Sequence, residues 1–329
     1  MHEFFRLFIL FTYACQLRCS YCYVNHTPEM MARRTIEAIY RFVERLVTRG
    51  LQHLQVDFFG GEPLLCKNQT YEFCARCIDL MGMNFTAGIT TNAVELDASC
   101  FTRLIDLNCR HFQITLDGPK AVHDTVRKYA DGTGTHDKII ANLSDMRNHL
   151  GEFEVVIRLH VTKKSYTWMP ELIDVLLPII QGDERFVVDF HPLVNLGGAN
   201  RESNDLYPTD EYLDAMNKYR KLIPGHTPYF DFANSVCYAS QPNSFIFLPN
   251  GDIAKCTVSL DKGVVGHLNN DGTLKMDARV LSAWCIGSHL QKTGVKGENE
   301  NEVKEALRCP RAVLAKFWNA SNRVTAVTH

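Results

Sequence analysis

Two kinds of apolar pattern alternate along the first 193 residues. Runs of adjoining apolar residues predict buried strands at Phe4 to Tyr13, Leu54 to Phe59, Phe85 to Thr90, Phe112 to Leu116, Phe153 to Val161 and Phe186 to Leu193. Between them, apolar positions recur at helical spacing. Ile36, Ile39, Phe42, Val43 and Leu46 share one face of Thr35 to Val47, and further helices are expected over Thr70 to Met81, Ala98 to Leu107, His136 to Leu150 and Met169 to Ile180. Six β/α repeats argue for parallel strands joined by helical crossovers. Eight would close a full barrel, so six predict an α/β fold with a partial (β/α)6 barrel.

From Asn195 to Asn204 the chain turns Gly- and Asn-rich and reads as a loop. A helix over Asp210 to Leu222 is expected to pack back as the last of the barrel, closing a first domain at residues 1–223. Past Pro224 the texture changes. Ser244 to Leu248 and Ile253 to Cys256 flank Pro249-Asn250-Gly251-Asp252, the signature of a hairpin with a tight turn. Val264 to Leu268 adds a strand, Asn269 to Gly272 a turn, and helices are expected near Ala278 to Gln291 and Glu302 to Trp318, around a solvated loop at Lys296 to Glu300. Residues 224–329 are thus expected to form a small second domain.

Composition narrows the function classes. Lys+Arg (35) and Asp+Glu (37) nearly balance, so no basic field argues for nucleic acid or an anionic membrane. No apolar run reaches the 18 or so residues of a membrane span. Twelve cysteines in 329 residues read either as a secreted disulfide framework or as reduced thiols of a cytosolic metalloprotein. The chain is too large to need staples, and three of the cysteines are too crowded to pair with one another, which favours a cytoplasmic protein. Phe4 to Ala14 faintly resembles a signal peptide, yet it lacks a basic start and carries Arg6 inside the apolar run.

The crowded three are Cys15, Cys19 and Cys22, in a C-x3-C-x2-C spacing directly after the first strand. Three thiolates so placed can hold one side of an iron-sulfur cube and leave its fourth iron without a protein ligand. Polar residues recur at the same ends of the later strands, where parallel β/α architectures build their sites. Gly60-Gly61-Glu62-Pro63 follows the second strand, Thr91 and Asn92 the third, and Thr115, Asp117 and Gly118 the fourth. Strand five carries Arg158 and His160, strand six Asp189 and His191. Two glycines let a ligand approach the backbone, and Glu62 offers an acceptor for an ammonium group. Taken singly, Gly-Gly-Glu-Pro and Asp-Gly-Pro are also common turns, and the two histidines read as satisfied, half-buried residues. Arg158 inside an apolar strand needs an anion, either a carboxylate or a bound ligand.

Together these motifs resemble the radical S-adenosylmethionine (radical SAM) enzymes, over residues 8 to 195. The resemblance implies a partial TIM barrel in which Cys15, Cys19 and Cys22 ligate a 4Fe-4S cluster and the open iron chelates SAM. Tyr21 matches the aromatic residue near the adenine, and Gly60, Gly61, Glu62 and Pro63 match the stretch at the methionine amino group. The segment Thr115 to Lys120 with His123, Asp124 and Arg127 looks like the fourth-strand region of the peptide- and protein-modifying subgroup, where the Ser/Thr/Asp region lies near the ribose and the Arg near the SAM carboxylate. Asn92, Arg158 and Leu193, at or near the ends of strands three, five and six, complete the expected cofactor contacts. A reduced cluster passes an electron into the sulfonium, and the resulting 5'-deoxyadenosyl radical takes a hydrogen atom from a substrate shielded from water and oxygen.

In the tail, Cys237, Gly251 and Cys256 fit the C-x(9-15)-G-x4-C opening of the SPASM and twitch extensions, which hold auxiliary 4Fe-4S clusters. Only Cys285 and Cys309 remain downstream, which suffices for one auxiliary cluster of twitch type. Cys309-Pro310 looks like a cluster-ligand dipeptide, whereas Cys285, beside Trp284 on an apolar stripe, is equally compatible with core packing. A zinc site on the same four cysteines is the alternative. Cys66, Cys74, Cys77, Cys100 and Cys109 read as structural.

The resemblance implies an enzyme acting on a peptide or protein, above all a ribosomally made precursor peptide, by crosslinking, epimerisation or backbone excision. A small-molecule substrate is the main alternative, and a non-catalytic zinc or iron-sulfur protein the alternative of another class. An external electron donor of flavodoxin or ferredoxin type is expected, with a separate peptide-recognition protein as a further candidate partner.

Overall fold

The computed structural model describes residues 3–193, 218–219, 221–223, 237–260, 263–282 and 284–285. Its strands are β1 (Phe4–Ile9), β2 (His53–Phe58), β3 (Phe85–Thr91), β4 (Cys109–Leu116), β5 (Glu154–Val161) and β6 (Phe186–Pro192). Helices α1 (Arg33–Thr48), α2 (Lys67–Met81), α3 (Ala98–Asp106), α4 (Lys120–Val126), α5 (His136–Arg147) and α6 (Met169–Ile180) fill the crossovers. All six strands are parallel and adjacent in chain order, so the six expected repeats are present. The short helix α4 was not expected, because its seven residues KAVHDTV carry no apolar period. β1 ends at Ile9 rather than Tyr13, since Phe11 and Thr12 leave β2 and bond instead to Met31 and Glu29.

Four more strands follow: β7 (Ser244–Phe247), β8 (Asp252–Ala254), β9 (Val264–Leu268) and β10 (Leu274–Met276). The expected hairpin is β7 and β8, turned by Gly251 at φ +87°. Its place in the sheet was not expected. β7 runs parallel to β1, with Arg6 opposite Ser244 and Ile9 opposite Phe247, so one ten-stranded sheet runs β10-β9-β8-β7-β1-β2-β3-β4-β5-β6. β1 has β2 on one side and β7 on the other, leaving it no edge for closure with β6. The helix expected over Asp210 to Leu222 lies largely outside the described residues, and that over Glu302 to Trp318 wholly so. Residues 278–282 and 284–285 are helical.

The sheet separates two environments. Its outer face packs on the helices, with Leu7, Ile9, Val56, Phe58, Ile114 and Ile157 in the main core. Burying that many large side chains at about 25 cal/mol per Å² supplies the main drive for folding. Asp97 fixes the start of α3 by accepting from the Cys100 amide at 2.9 Å, a cap worth about 1 kcal/mol. The other face carries a smaller apolar cluster of Phe8, Leu10, Ile246, Leu248, Ala254 and Leu260, with no helix residue in it. The five cysteines read as structural are all buried.

Candidate active site at the strand ends

The cysteine loop is pinned at both ends. At its base the Thr12 hydroxyl donates to Glu29 O (2.7 Å) and accepts from the Ala14 amide (3.0 Å). Along its length the amides of Arg18 and Ser20 donate to Lys128 O and Val126 O, while the Arg18 guanidinium donates to the Cys15 and Leu17 carbonyls. The loop is therefore stitched to the segment after α4, which brings Arg127 beside Tyr21.

Gly60 and Gly61 serve this loop. The amides of Gly61 and Glu62 donate to Thr12 O and Ala14 O (3.1 and 2.8 Å). A Cβ on Gly61 would run into the carbonyls of Tyr13 and Ala14, and one on Gly60 would lie 2.6 Å from Thr12 O. What approaches the two glycines is thus the backbone of the cysteine loop. Glu62 is fully buried, and its carboxylate accepts from the Leu64 amide (2.9 Å), the Thr91 hydroxyl (2.7 Å) and the Asn92 amide (2.8 Å). Burial raises its carboxyl, and these hydrogen bonds oppose the rise. The side chain expected to meet an ammonium group thus joins the ends of β2 and β3, with Pro63 opening the short turn that Glu62 caps. The Asn92 side-chain amide in turn points its Nδ2 at Cys15 Sγ, 3.8 Å away.

Beside the loop sits a buried charge network. The Asp117 carboxylate, 5% exposed, accepts from Tyr21 Oη (2.7 Å) and contacts His160 Nδ1 (2.8 Å). Arg127 donates from Nη1 to Tyr21 Oη (2.6 Å), and its Nε lies 3.8 Å from Asp117. Burial opposes the charge on Asp117, but His160 and then Arg127 outweigh it and hold the carboxyl well below the usual carboxylate range. Behind it, the Asp117 amide donates to His123 Nδ1 (3.3 Å), which leaves the proton on Nε2, 3.1 Å from Thr135 Oγ1. That hydroxyl donates onward to Arg127 O (2.8 Å). Burial lowers His123 to about 4, so the ring is neutral and ties the backbones of Asp117 and Arg127 together.

Register builds the next rows. Thr115, Arg158 and Asp189 lie side by side across β4, β5 and β6, as do His160 and His191 across β5 and β6. Arg158 Nε donates to Asp189 (2.9 Å), which supplies the anion that its position demanded. His191 lies 3.6 Å from the same carboxylate and is lowered to about 4 by burial and by Arg158. Leu193 follows β6, its amide donating to Val161 O.

The three thiols are half-buried and, like the other described cysteines, form no disulfide. Burial pushes Cys15 up to about 12, helped by the nearby charges of Glu62, Cys19 and Cys22 and opposed by the Leu17 amide. Burial raises Cys19 and Cys22 too, against the pull of Arg127. Thiols raised in this way give up their protons when they ligate a metal, so metal loading is favoured by higher pH. Among the described residues no three His, Cys, Asp or Glu converge on a single ion. A cube asks something else, because each of its thiolates binds a different iron. Three cysteines on one loop, with an Asn amide aimed at a sulfur and an Arg beside Cys19, fit that demand.

In the tail, Cys256 is buried directly after β8, while Cys237 and Cys285 are half-buried. Cys309 lies outside the described residues. Burial raises the Tyr23 phenol, with smaller contributions in the same direction from Cys256 and Cys22. Sequence reasoning missed Lys255, a fully buried lysine beside Cys256. Its Nζ donates to Gln241 O and Ser244 O, both at 2.5 Å. Burial lowers it to about 8, while the charges of Cys285 and Cys237 favour its ionised form.

A parallel β/α sheet with a three-cysteine loop at the carboxyl end of its first strand defines a class of iron-sulfur enzymes. Residues 9–176, just over half the chain, match the Radical SAM superfamily, and the protein belongs to it. It is accordingly an enzyme dependent on SAM and a 4Fe-4S cluster. The chain is 23% identical over 312 residues to a cysteine-type anaerobic sulfatase-maturating enzyme of Clostridium novyi, covering 89% of this chain and 78% of that one. Among solved structures it resembles anSMEcpe with bound AdoMet and the Cp18Cys peptide, at TM-score 0.63 and 17% identity over 85% of this chain and 83% of that one. It also resembles Streptococcus suis SuiB bound to the precursor peptide SuiA, at TM-score 0.54 and 18% identity over 90% and 68%. At these identities the two likenesses establish the fold. Among the described residues no helix is long and apolar enough to cross a membrane.

Proposed function

We propose that this radical SAM enzyme modifies a peptide or protein, a ribosomally made precursor peptide being the favoured substrate, by abstracting hydrogen from an unactivated C-H bond. The observation that carries the reading is the Cys15, Cys19 and Cys22 loop braced against the network of Tyr21, Asp117, Arg127 and His160. Support for the substrate class comes from the relatives, whose names record sulfatase maturation and a bound precursor peptide. In this reading the three loop cysteines hold the 4Fe-4S cluster, and a reduced cluster with bound SAM supplies a 5'-deoxyadenosyl radical. Gly60 and Gly61 let the loop close, and Glu62 and Asn92 set the orientation of Cys15. Arg127 faces the negative charge that the cluster loop gains on ligation. Asp117 and His160 offer a fixed acceptor and donor to a polar ligand at the rim, and the Thr115, Arg158 and Asp189 row forms the polar floor below them.

We assign residues 1–223 to the barrel and 224–329 to a twitch-like extension in which Cys237, Cys256, Cys285 and Cys309 hold one auxiliary cluster. An external flavodoxin- or ferredoxin-type donor supplies the electron, a separate peptide-recognition protein is a candidate partner, and the enzyme works in the cytoplasm. The test is anaerobic reconstitution with iron, sulfide, SAM and dithionite. 5'-Deoxyadenosine is expected from the native chain and not from Cys15→Ala, and equal yields from both would overturn the assignment. Incubation with short peptides encoded beside the enzyme's gene, read by mass spectrometry, tests the substrate class.

A further inference from the structure

We propose that His123 is a positioning residue for the cofactor: its ring, acting through Thr135 and the Asp117 amide, presets Arg127 to receive the SAM carboxylate. The inference rests on the reading of Arg127 as the residue near that carboxylate and adds to it the buried group that stands behind it.

Helix α4 has a single buried residue, and it is His123 rather than an apolar side chain. The ring is 0% exposed, and both of its nitrogens are engaged by the segments that carry the charge network. Nδ1 accepts from the Asp117 amide, so the ring proton sits on Nε2 and is donated to Thr135 Oγ1. That hydroxyl, 1% exposed, donates in turn to Arg127 O, and the Arg127 amide donates to His123 O (2.7 Å). The backbone of Arg127 is thus gripped at its amide and at its carbonyl. Thr135 is fixed from a further side, because Asp124 Oδ1 accepts from the Thr135 and His136 amides (2.8 and 2.9 Å). Gly134 leaves room for that carboxylate, which a Cβ there would strike.

What this frame holds out is an unsatisfied donor. Arg127 Nη1 is engaged by Tyr21 Oη, but Nε is buried with no hydrogen-bond partner among the described residues, the Asp117 carboxylate standing 3.8 Å off. A buried N–H without an acceptor is costly, and a carboxylate arriving there forms a charge-assisted bond that removes the penalty. With the backbone already fixed, the guanidinium loses less freedom when it binds. A residue needed only to fill the space under α4 would be Leu or Met. A ring whose polar atoms all bond to Asp117 and, through Thr135, to Arg127 fits the holding of that donor better.

The test reads binding rather than turnover, on the reconstituted full chain with its cluster left oxidised. Equilibrium dialysis compares SAM with decarboxylated SAM, which keeps the adenosine, the sulfonium and the amine and lacks only the carboxylate. Thr135→Val removes the hydroxyl at nearly constant shape, and His123→Leu removes both ring contacts. Each is expected to weaken SAM by about tenfold, the scale of one hydrogen bond between charged groups, and to leave decarboxylated SAM as the parent binds it. Thr135→Ser restores the hydroxyl and is expected to return SAM to the parent affinity. Unchanged SAM affinity in Thr135→Val, or equal losses of both ligands, marks His123 and Thr135 as ordinary supports of the fold and overturns the inference, even where His123→Leu fails to fold. Arg127→Met tests the premise separately. Parent-like SAM affinity in that variant ends the reading of Arg127 and the inference with it, whereas a loss there with none in Thr135→Val overturns the inference alone.

Discussion

The Tyr21 hydroxyl donates to the Asp117 carboxylate over 2.7 Å, joining the cysteine loop to the end of the fourth strand. Because Arg127 donates to the same hydroxyl and His160 contacts the other carboxylate oxygen, one buried anion organises three strand ends. Asp117→Asn removes that anion while keeping the shape. It is expected to destabilise the metal-free protein by about 3–5 kcal/mol at pH 7, the range for breaking a buried ion pair from one side. The folded-state carboxyl is held below its ordinary value, so its stabilisation is fully present above about pH 4 and is lost as pH falls through the folded value. Urea titrations of both proteins should accordingly differ most between pH 5 and 7 and converge in acid.

Gly61→Ala tests the packing of the loop against the Gly-Gly stretch. The added methyl collides with the Tyr13 and Ala14 carbonyls, which are backbone and cannot swing aside. The expected outcome is loss of iron at the barrel site with a near-native circular dichroism spectrum. A variant that binds iron and cleaves SAM as the parent does would show that the loop tolerates displacement.

Two histidines, His123 buried and His191 half-buried, give the fold an acid sensitivity of their own. His123 and His191 are both lowered to about 4 by burial, from an ordinary 6.5. Between these values the unfolded chain carries protons that the native state excludes, so stability falls as pH drops from about 6.5 to 4. The slope is roughly 1.4 kcal/mol per pH unit for each such histidine. Replacing both by Gln should flatten the decline over that window, and an unchanged slope in denaturant titrations would place the sensitivity elsewhere.

The barrel was legible in the sequence because strands covered by helices must be apolar along their length, and Leu54 to Phe59 or Phe153 to Val161 have no other economical reading. The polar residues at their ends were legible for the complementary reason, since Asp117 or Arg158 in such company needs a partner. Which partner was not legible. Asp189 meets Arg158 through the register of β5 and β6, and register is a pairing between distant segments. The glycines at 60 and 61 were read as room for a ligand at the backbone, and the structure adds a second neighbour, the carbonyls of the cysteine loop, that no local pattern announces. The same limit hid Lys255, whose flanks Ala254 and Cys256 carry no periodic signal. It also hid the seat of the tail hairpin, because alternation marks a strand and leaves its neighbour unspecified.

That seat has a bearing on biosynthesis. Arg6 pairs with Ser244, so the strand that ends in the cysteine loop keeps one flank bare until the ribosome has passed residue 247. A bare flank of Phe4 to Ile9 is a template for stray pairing with other chains. Nascent or prematurely terminated products ending before β7 are therefore the species expected to need a chaperone.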